Sequence, residues 1–169
     1  MATTSTDVVS RRSAVGLIFG LAGVMALGQF SLVLAAAPKD RIKVWKTPDC
    51  GCCKEWVSHL RGNGFEVVTY DVKDTAPTRQ KLGLAGKFGA CHTGLLGTYV
   101  LEGHVPAREV RRLLREKPQA LGLAVPGMPA GSPGMEIGTA RDAYDVLLIL
   151  KDGNSRVYQS YPQKLSSNS

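Results

Sequence analysis

Beyond its first 37 residues the chain has no basic run longer than Arg111-Arg112, and charges of both signs alternate along it. That absence excludes the continuous cationic stripe that tracks a phosphate backbone, so nucleic acid is not an expected partner. Asp40, Asp49 and Asp71 fall in no paired arrangement suited to general acid–base work. There is no serine nucleophile elbow, no phosphate-binding glycine loop and no zinc-protease helix motif, so the sequence points to no organic substrate. Cysteine is scarce as well, at four residues, and none lies in residues 1–37, which excludes a lipid linkage there. The few cysteines are concentrated, however. Cys50-Gly51-Cys52-Cys53 holds three of the four, and the fourth stands in Cys91-His92. A core gains nothing from crowding three thiols, so the cluster points to disulfide chemistry, a soft metal, or both.

Residues 1–37 read as an export signal. Arg11-Arg12 supplies a charged start, residues 14–37 carry no charge, and the run ends in Ala35-Ala36-Ala37. Ser10-Arg11-Arg12 before an apolar segment is reminiscent of a twin-arginine signal, which would export a folded or cofactor-loaded protein. Val15-Gly16 stand where that pattern prefers a bulky pair, and the general secretory route is the alternative. An uncleaved anchor is a further reading, since the run is long enough to span a bilayer. In each case residues 38–161 are expected outside the cytoplasm, in a bacterial periplasm, with 162–169 as a flexible tail. Residues 1–37 carry two Arg and one Asp. Without them 19 basic and 13 acidic residues remain, a net charge of +6 over 132 residues. That length suits one domain with a modest core, and the charge reads as a solvated surface.

Residues 42–46 read as a strand, followed by a Thr47-Pro48-Asp49 turn and a helix over 54–61 with Trp56, Val57 and Leu60 as its apolar stripe. Gly62-Asn63-Gly64 stops that helix, and residues 65–71 form a strand by their β-branched and aromatic content. A short helix spans 78–82. Two strands, 93–96 and 98–102, turn at Gly97, and a third helix begins at Pro106 with Val110, Leu113 and Leu114 on its buried face. This strand–helix–strand–helix–hairpin–helix order is that of α/β, thioredoxin-like domains, a mixed sheet flanked by helices. Residues 119–140, rich in Gly and Pro and carrying Met128 and Met135, read as a long structureless loop with a function of its own. A C-terminal β-hairpin, 144–150 and 156–161, turns at Asp152-Gly153 and extends the sheet.

Cys50 and Cys53 have the C-x-x-C spacing of a dithiol–disulfide couple at a helix N-terminus, where the dipole and free N–H groups lower a thiol pKa. Cys52 departs from that pattern, because a third thiolate beside a disulfide attacks and scrambles it. Closely spaced thiolates make sense when a metal holds them. Zinc asks for four ligands in a tetrahedron, whereas cuprous copper takes thiolate and thioether, accepts two or three ligands and lets sulfur bridge ions. Met128 and Met135, on flexible chain, favour copper over zinc, with hydrophobic filler as their ordinary reading. Cys91 alone would read as a buried thiol. In this element order, though, the segment entering the third strand faces the cysteine turn, so Cys91 and His92 are expected to complete the site. His92 suits a copper ligand or a surface hydrogen-bonding group equally. His59 and His104 read as ordinary polar residues, with His104 the better candidate because Gly103 and Pro106 frame it.

Several blocks together are distinctive: Thr47-Pro48-Asp49-Cys50-Gly51-Cys52-Cys53-Lys54-Glu55-Trp56, Ala90-Cys91-His92-Thr93, Glu102-Gly103-His104-Val105-Pro106, and the Pro126-Gly127-Met128-Pro129 and Pro133-Gly134-Met135-Glu136 phrases. Over residues 41–161 they resemble the family catalogued as domain of unknown function 411, which includes the CopG-type copper-resistance proteins. The resemblance implies a thioredoxin-like fold, a periplasmic home, and copper, Cu(I) or Cu(II), bound through the cysteines Cys50, Cys52, Cys53 and Cys91, with His92, Met128 and Met135 expected as outer or entry ligands. It implies a role in copper resistance beside other periplasmic copper-resistance proteins or a redox partner. Interconversion of cuprous and cupric ions has been proposed for such proteins. The rival readings are a thiol–disulfide oxidoreductase using Cys50 and Cys53, and a passive metal buffer.

Overall fold

A computed structural model describes residues 40–162. The expected export signal, residues 1–37, and the tail beyond Pro162 lie outside the described residues. Strand β1 (Arg41–Lys46) buries alternate residues, Ile42 and Val44 completely. It leads into α1 (Gly51–Gly62), whose Trp56, Val57 and Leu60 recur at helical spacing and are buried. β2 (Glu66–Asp71) runs parallel to β1, as a helical crossover between neighbouring strands requires. α2 (Ala76–Lys81) and a 3-10 turn (Gly86–Phe88) carry the chain to β3 (His92–Leu96), which pairs antiparallel with β1. β3 turns at Gly97-Thr98 into β4 (Tyr99–Gly103), and α3 (Ala107–Glu116) follows. This order and these directions are the expected ones, compatible with a thioredoxin-like core.

Residues 119–140 are not one structureless loop. Gly122–Val125 forms β5, parallel to β4, so α3 is the crossover of a second βαβ unit. β6 (Tyr144–Ile149) and β7 (Ser155–Tyr161) are the expected hairpin, and it extends the sheet from β5. The result is a seven-stranded mixed sheet in the order β2-β1-β3-β4-β5-β6-β7. β5 was hidden because all four of its residues are buried, which removes the alternation that marks a half-exposed strand. Its glycine is also a packing residue: a Cβ at Gly122 would lie 1.8 Å from the Val100 carbonyl oxygen.

The sheet is covered on both faces. Ile42, Val44, Trp56, Leu60, Leu101, Leu123 and Leu148 form the larger cluster, and Leu84, Phe88, Val100, Ala124 and Ile149 the smaller. Neighbours such as Val100 and Leu101, or Leu148 and Ile149, enter opposite clusters, as the two-residue period of a strand dictates.

Between β5 and β6, residues 126–143 remain without a strand or helix, and Gly134 among them rests on the start of α1. Gly134 has φ +87°, and a Cβ there would stand 2.7 Å from the Trp56 nitrogen and 2.8 Å from the Cys52 carbonyl oxygen. Gly134→Ala is therefore expected to cost about 1–3 kcal/mol through backbone strain alone, with the clash adding to it. Urea unfolding measures this, and an unchanged midpoint would mean the loop does not rest on α1.

Candidate metal centre

β1 delivers the chain to the Thr47-Pro48-Asp49 turn, and Cys50 caps α1, its Sγ accepting the Cys53 N–H at 3.3 Å. Cys52 and Cys53 lie in the helix's first turn, with Cys53 fully buried. The register of β1 against β3 pairs Lys46 with His92, so Cys91-His92 enters the sheet beside the cysteine turn. Residues 39 apart in sequence thereby meet, with Cys52 Sγ 3.7 Å from Cys91 Sγ and 3.5 Å from Cys50 Sγ. All four sulfurs lie within 4.8 Å of one another. Cys50 and Cys53 are joined as a disulfide, while Cys52 and Cys91 are free and half-buried.

The histidines bring a finding that the sequence reading lacked. His92 and His104 are both completely buried, so neither is a surface group, and His104 is not an ordinary polar residue. His92 Nε2 lies 2.9 Å from the Gly103 carbonyl oxygen. A carbonyl only accepts, so Nε2 carries the proton and the Nδ1 lone pair faces Cys91 Sγ at 3.3 Å. By the same reasoning His104 Nδ1 donates to the Pro133 carbonyl at 2.8 Å and leaves its Nε2 lone pair 3.5 Å from Cys91 Sγ. Cys91 has at most one S–H proton to offer two imidazole lone pairs. One of them is left facing sulfur without a proton, which is the arrangement a cation resolves. Cys91, His92 and His104 form a second convergent group, with ligand atoms within 4.8 Å of one another.

Electrostatics agree with this geometry. Burial, and then His104, push His92 down to about 3, and burial lowers His104 as well. Both rings are therefore neutral at ordinary pH. Burial, and then the neighbouring Cys52, push the Cys91 thiol up to about 12. The Trp56 ring packs 4.2 Å from His92, centroid to centroid, and its Nε1 donates to the Val105 carbonyl, which fixes one wall of the site.

Glu102, noted in the sequence only as part of a motif, anchors the chain on both sides of Cys91-His92. Its Oε1 accepts the Ala90 N–H at 2.7 Å and Arg79 Nε at 2.8 Å, and its Oε2 accepts the Thr93 hydroxyl at 2.7 Å. Arg79 also donates to the Ala90 carbonyl, so an ion pair none of whose buried polar atoms lacks a partner holds the Cys91 segment in place. His59 joins α1 to α3, its Nε2 accepting the Ala107 N–H at the start of α3. Met128 stands 53% exposed on the loop. Met135 is half-buried and follows Gly134, the residue that rests on the Cys52 carbonyl. The donors that converge are thiols and imidazoles, a set that fits a thiophilic metal ion such as copper.

The family model described as "Protein of unknown function, DUF411" matches residues 88–135. Two solved structures, copper resistance protein copG forms 1 and 2, are each 42% identical to this chain. They cover 74% of this chain and 99% and 100% of their own lengths, with TM-scores of 0.70 and 0.71. The chain belongs to this DUF411, CopG-type family. No curated protein is similar enough to match. The family model spans the Cys91-His92 segment, Glu102, His104 and both loop methionines, but stops short of the cysteine turn.

Burial holds His59, His92 and His104 below the ordinary 6.5. Below that value the unfolded chain binds protons that the fold refuses, so stability falls with pH, for His92 down to about 3. The metal-free protein is expected to lose melting temperature steadily from pH 6.5 towards 3, and less steeply in a His92→Gln, His104→Gln variant. A flat profile for the parent protein would contradict the burial of neutral imidazoles.

Proposed function

We propose that the protein is an exported, periplasmic copper-binding protein of a copper-resistance system, holding cuprous ion at the cysteine cluster. The observation that carries this reading is the convergence of two imidazole lone pairs on Cys91 Sγ, with Cys52 Sγ 3.7 Å from the same sulfur. The names of the two similar structures support copper as the cargo. In the reduced protein Cys50, Cys52, Cys53 and Cys91 supply thiolates, and His92 and His104 approach from within the fold. Met128 and Met135 serve as outer or entry ligands on the loop that covers α1. Cuprous copper is preferred over zinc because sulfur can bridge several cuprous ions and low coordination numbers satisfy them, whereas zinc needs four donors in a tetrahedron.

The chain's own part is to fix donors and exclude water. Trp56 and the Glu102–Arg79 pair hold His92 and Cys91, and backbone carbonyls set both imidazole tautomers. Cys91 must give up its proton to bind, so affinity weakens as pH falls, by about tenfold per pH unit for each proton displaced.

A second reading, a thiol–disulfide oxidoreductase for protein substrates, is favoured by the Cys50–Cys53 disulfide at the start of α1. It expects disulfide turnover that survives copper chelation and loss of Cys91. The deciding experiment titrates anaerobic, reduced protein with cuprous ion against a chromophoric competitor. Replacing Cys52 and Cys91 by Ser is expected to weaken binding by more than about 100-fold, beyond the loss typical of a residue that only supports a ligand. Equal affinity in the variant ends the copper reading.

A further inference from the structure

α3 carries a charge pattern that the metal centre does not use. Residues 107–117 hold five basic residues, Arg108, Arg111, Arg112, Arg115 and Lys117, against Glu109 and Glu116, a net charge of +3. That is half of the +6 carried by residues 38–169, gathered in a short stretch. Val110, Leu113 and Leu114 divide the arginines in sequence, so no basic run is visible. Helical spacing sorts them: positions 108, 111, 112 and 115 share one face, while Val110 and Leu113 turn into the core on the other. Arg108, Arg111 and Arg115 are exposed and Arg112 is half-buried. Arg108 pairs with Glu109 and Arg112 with Glu116, whereas Arg111 and Arg115 lie in no ion pair among the described residues. Three of the guanidiniums lie over aromatic rings, Arg108 at 5.7 Å from the Tyr161 centroid, Arg111 at 5.0 Å from Phe65 and Arg112 at 4.2 Å from Tyr158. Such stacking holds the long side chains in place, so less freedom is lost when they meet an anion. Arginine is also the residue whose planar fork matches phosphate oxygens in pairs.

We infer that the exposed face of α3 docks on the anionic surface of a phospholipid bilayer, with its arginines on the headgroup phosphates. The face is the outer side of a helix about 15 Å long, a shape that suits an extended charged surface more than an enclosed small ligand. The chain itself supplies the neighbourhood. Residues 14–37 carry no charge and are long enough to span a bilayer. The chain then enters the domain at Asp40, which lines one hollow together with Leu114 and Lys117, at the C-terminal end of the ridge. The inference rests on the exported reading above and is independent of the metal. The ridge begins at Arg108, four residues after His104, so a domain held by α3 keeps its metal centre at the rim of the contact and not beneath it.

Both core clusters are drawn from residues after Arg41, and residues 37–169 form a compact unit of their own, so residues 38–169 can be tested without the apolar segment. The metal-free domain is sedimented with vesicles of mixed phosphatidylglycerol and phosphatidylcholine, and with vesicles of phosphatidylcholine alone. Binding is expected to the mixed vesicles only, and to be lost at about 1 M salt, where charge is screened within about 3 Å. Arg115 makes no ion pair in the fold, and Arg115→Gln is expected to weaken binding about fivefold; Arg111→Gln, Arg115→Gln should weaken it at least about tenfold. Lys81→Gln, Lys87→Gln removes the same charge beside Phe88, in the cluster on the opposite face of the sheet, and should bind nearly as the parent does. Equal loss in that variant, equal binding to phosphatidylcholine, or no binding to either vesicle overturns the inference. So does release by inorganic phosphate or by polyglutamate at matched ionic strength, which would reassign the ridge to a free anion or to an acidic protein. Copper is absent throughout, so failure here leaves the cuprous titration untouched.

Discussion

The antiparallel register of β1 and β3 is the constraint on which the site depends. By setting Lys46 opposite His92 it brings the end of one strand, where the cysteine turn begins, beside the start of another. A slip of one residue would send His92 to the opposite face of the sheet and carry Cys91 away from Cys52. The register is fixed from two directions. Ile42, Val44 and Leu96 are buried in one core cluster, and the two-residue turn at Gly97-Thr98 locks β3 against β4. That hairpin pairs Thr93 with Glu102, and one step further sets His92 against Gly103 and next to His104. One turn thus aligns both imidazoles.

Buried charge is the second element of the design. Glu102 is completely buried and its partner Arg79 nearly so, and burial raises the Glu102 pKa while Arg79 and the hydrogen bonds around it pull the other way. Taking such a pair out of water is costly unless every remaining donor and acceptor finds a partner. Here no buried side-chain nitrogen or oxygen among the described residues lacks one. What the pair supplies is position: it holds Ala90 and Thr93, the residues flanking Cys91-His92, so the sulfur and ring need no reorganisation to meet an ion. The site itself carries no such fixed charge, since its imidazoles are neutral and its free thiols take on negative charge only by losing protons.

Much of this was legible in the residues. The strand and helix periodicities of residues 42–116 set the order of the first seven strands and helices, and that order placed Cys91 near Cys50, Cys52 and Cys53. The family resemblance rested on those same blocks, and the two solved structures agree with it. Three things were not legible, each for a physical reason. β5 is buried on both faces, begins with Gly122 and is followed at once by Pro126, so it has neither alternation nor length to announce it. His104 has no spacing relation to Cys91 in sequence and joins it only through the hairpin register. Glu102 reads as one more strand residue until Arg79, 23 positions away, closes on it. Residues that act through tertiary pairing leave no periodic trace.

The Gly/Pro/Met loop shows how a sequence signal can be right about importance and incomplete about cause. Its methionines drew attention as thioether ligands, yet the contacts that tie it to the site are made by its backbone. The Pro133 carbonyl takes the proton of His104 Nδ1, which leaves Nε2 free to face Cys91. Next to it, Gly134 lies against the first turn of α1, at the Cys52 carbonyl. Proline suits the first position because it contributes a carbonyl and no competing N–H, and glycine suits the second because any Cβ would meet the helix backbone. Even without a ligand from either methionine, the loop would still decide which nitrogen of His104 is available to a metal. Chain beyond the first seven strands and helices therefore completes a site whose sulfurs the βαβ unit and hairpin already supply.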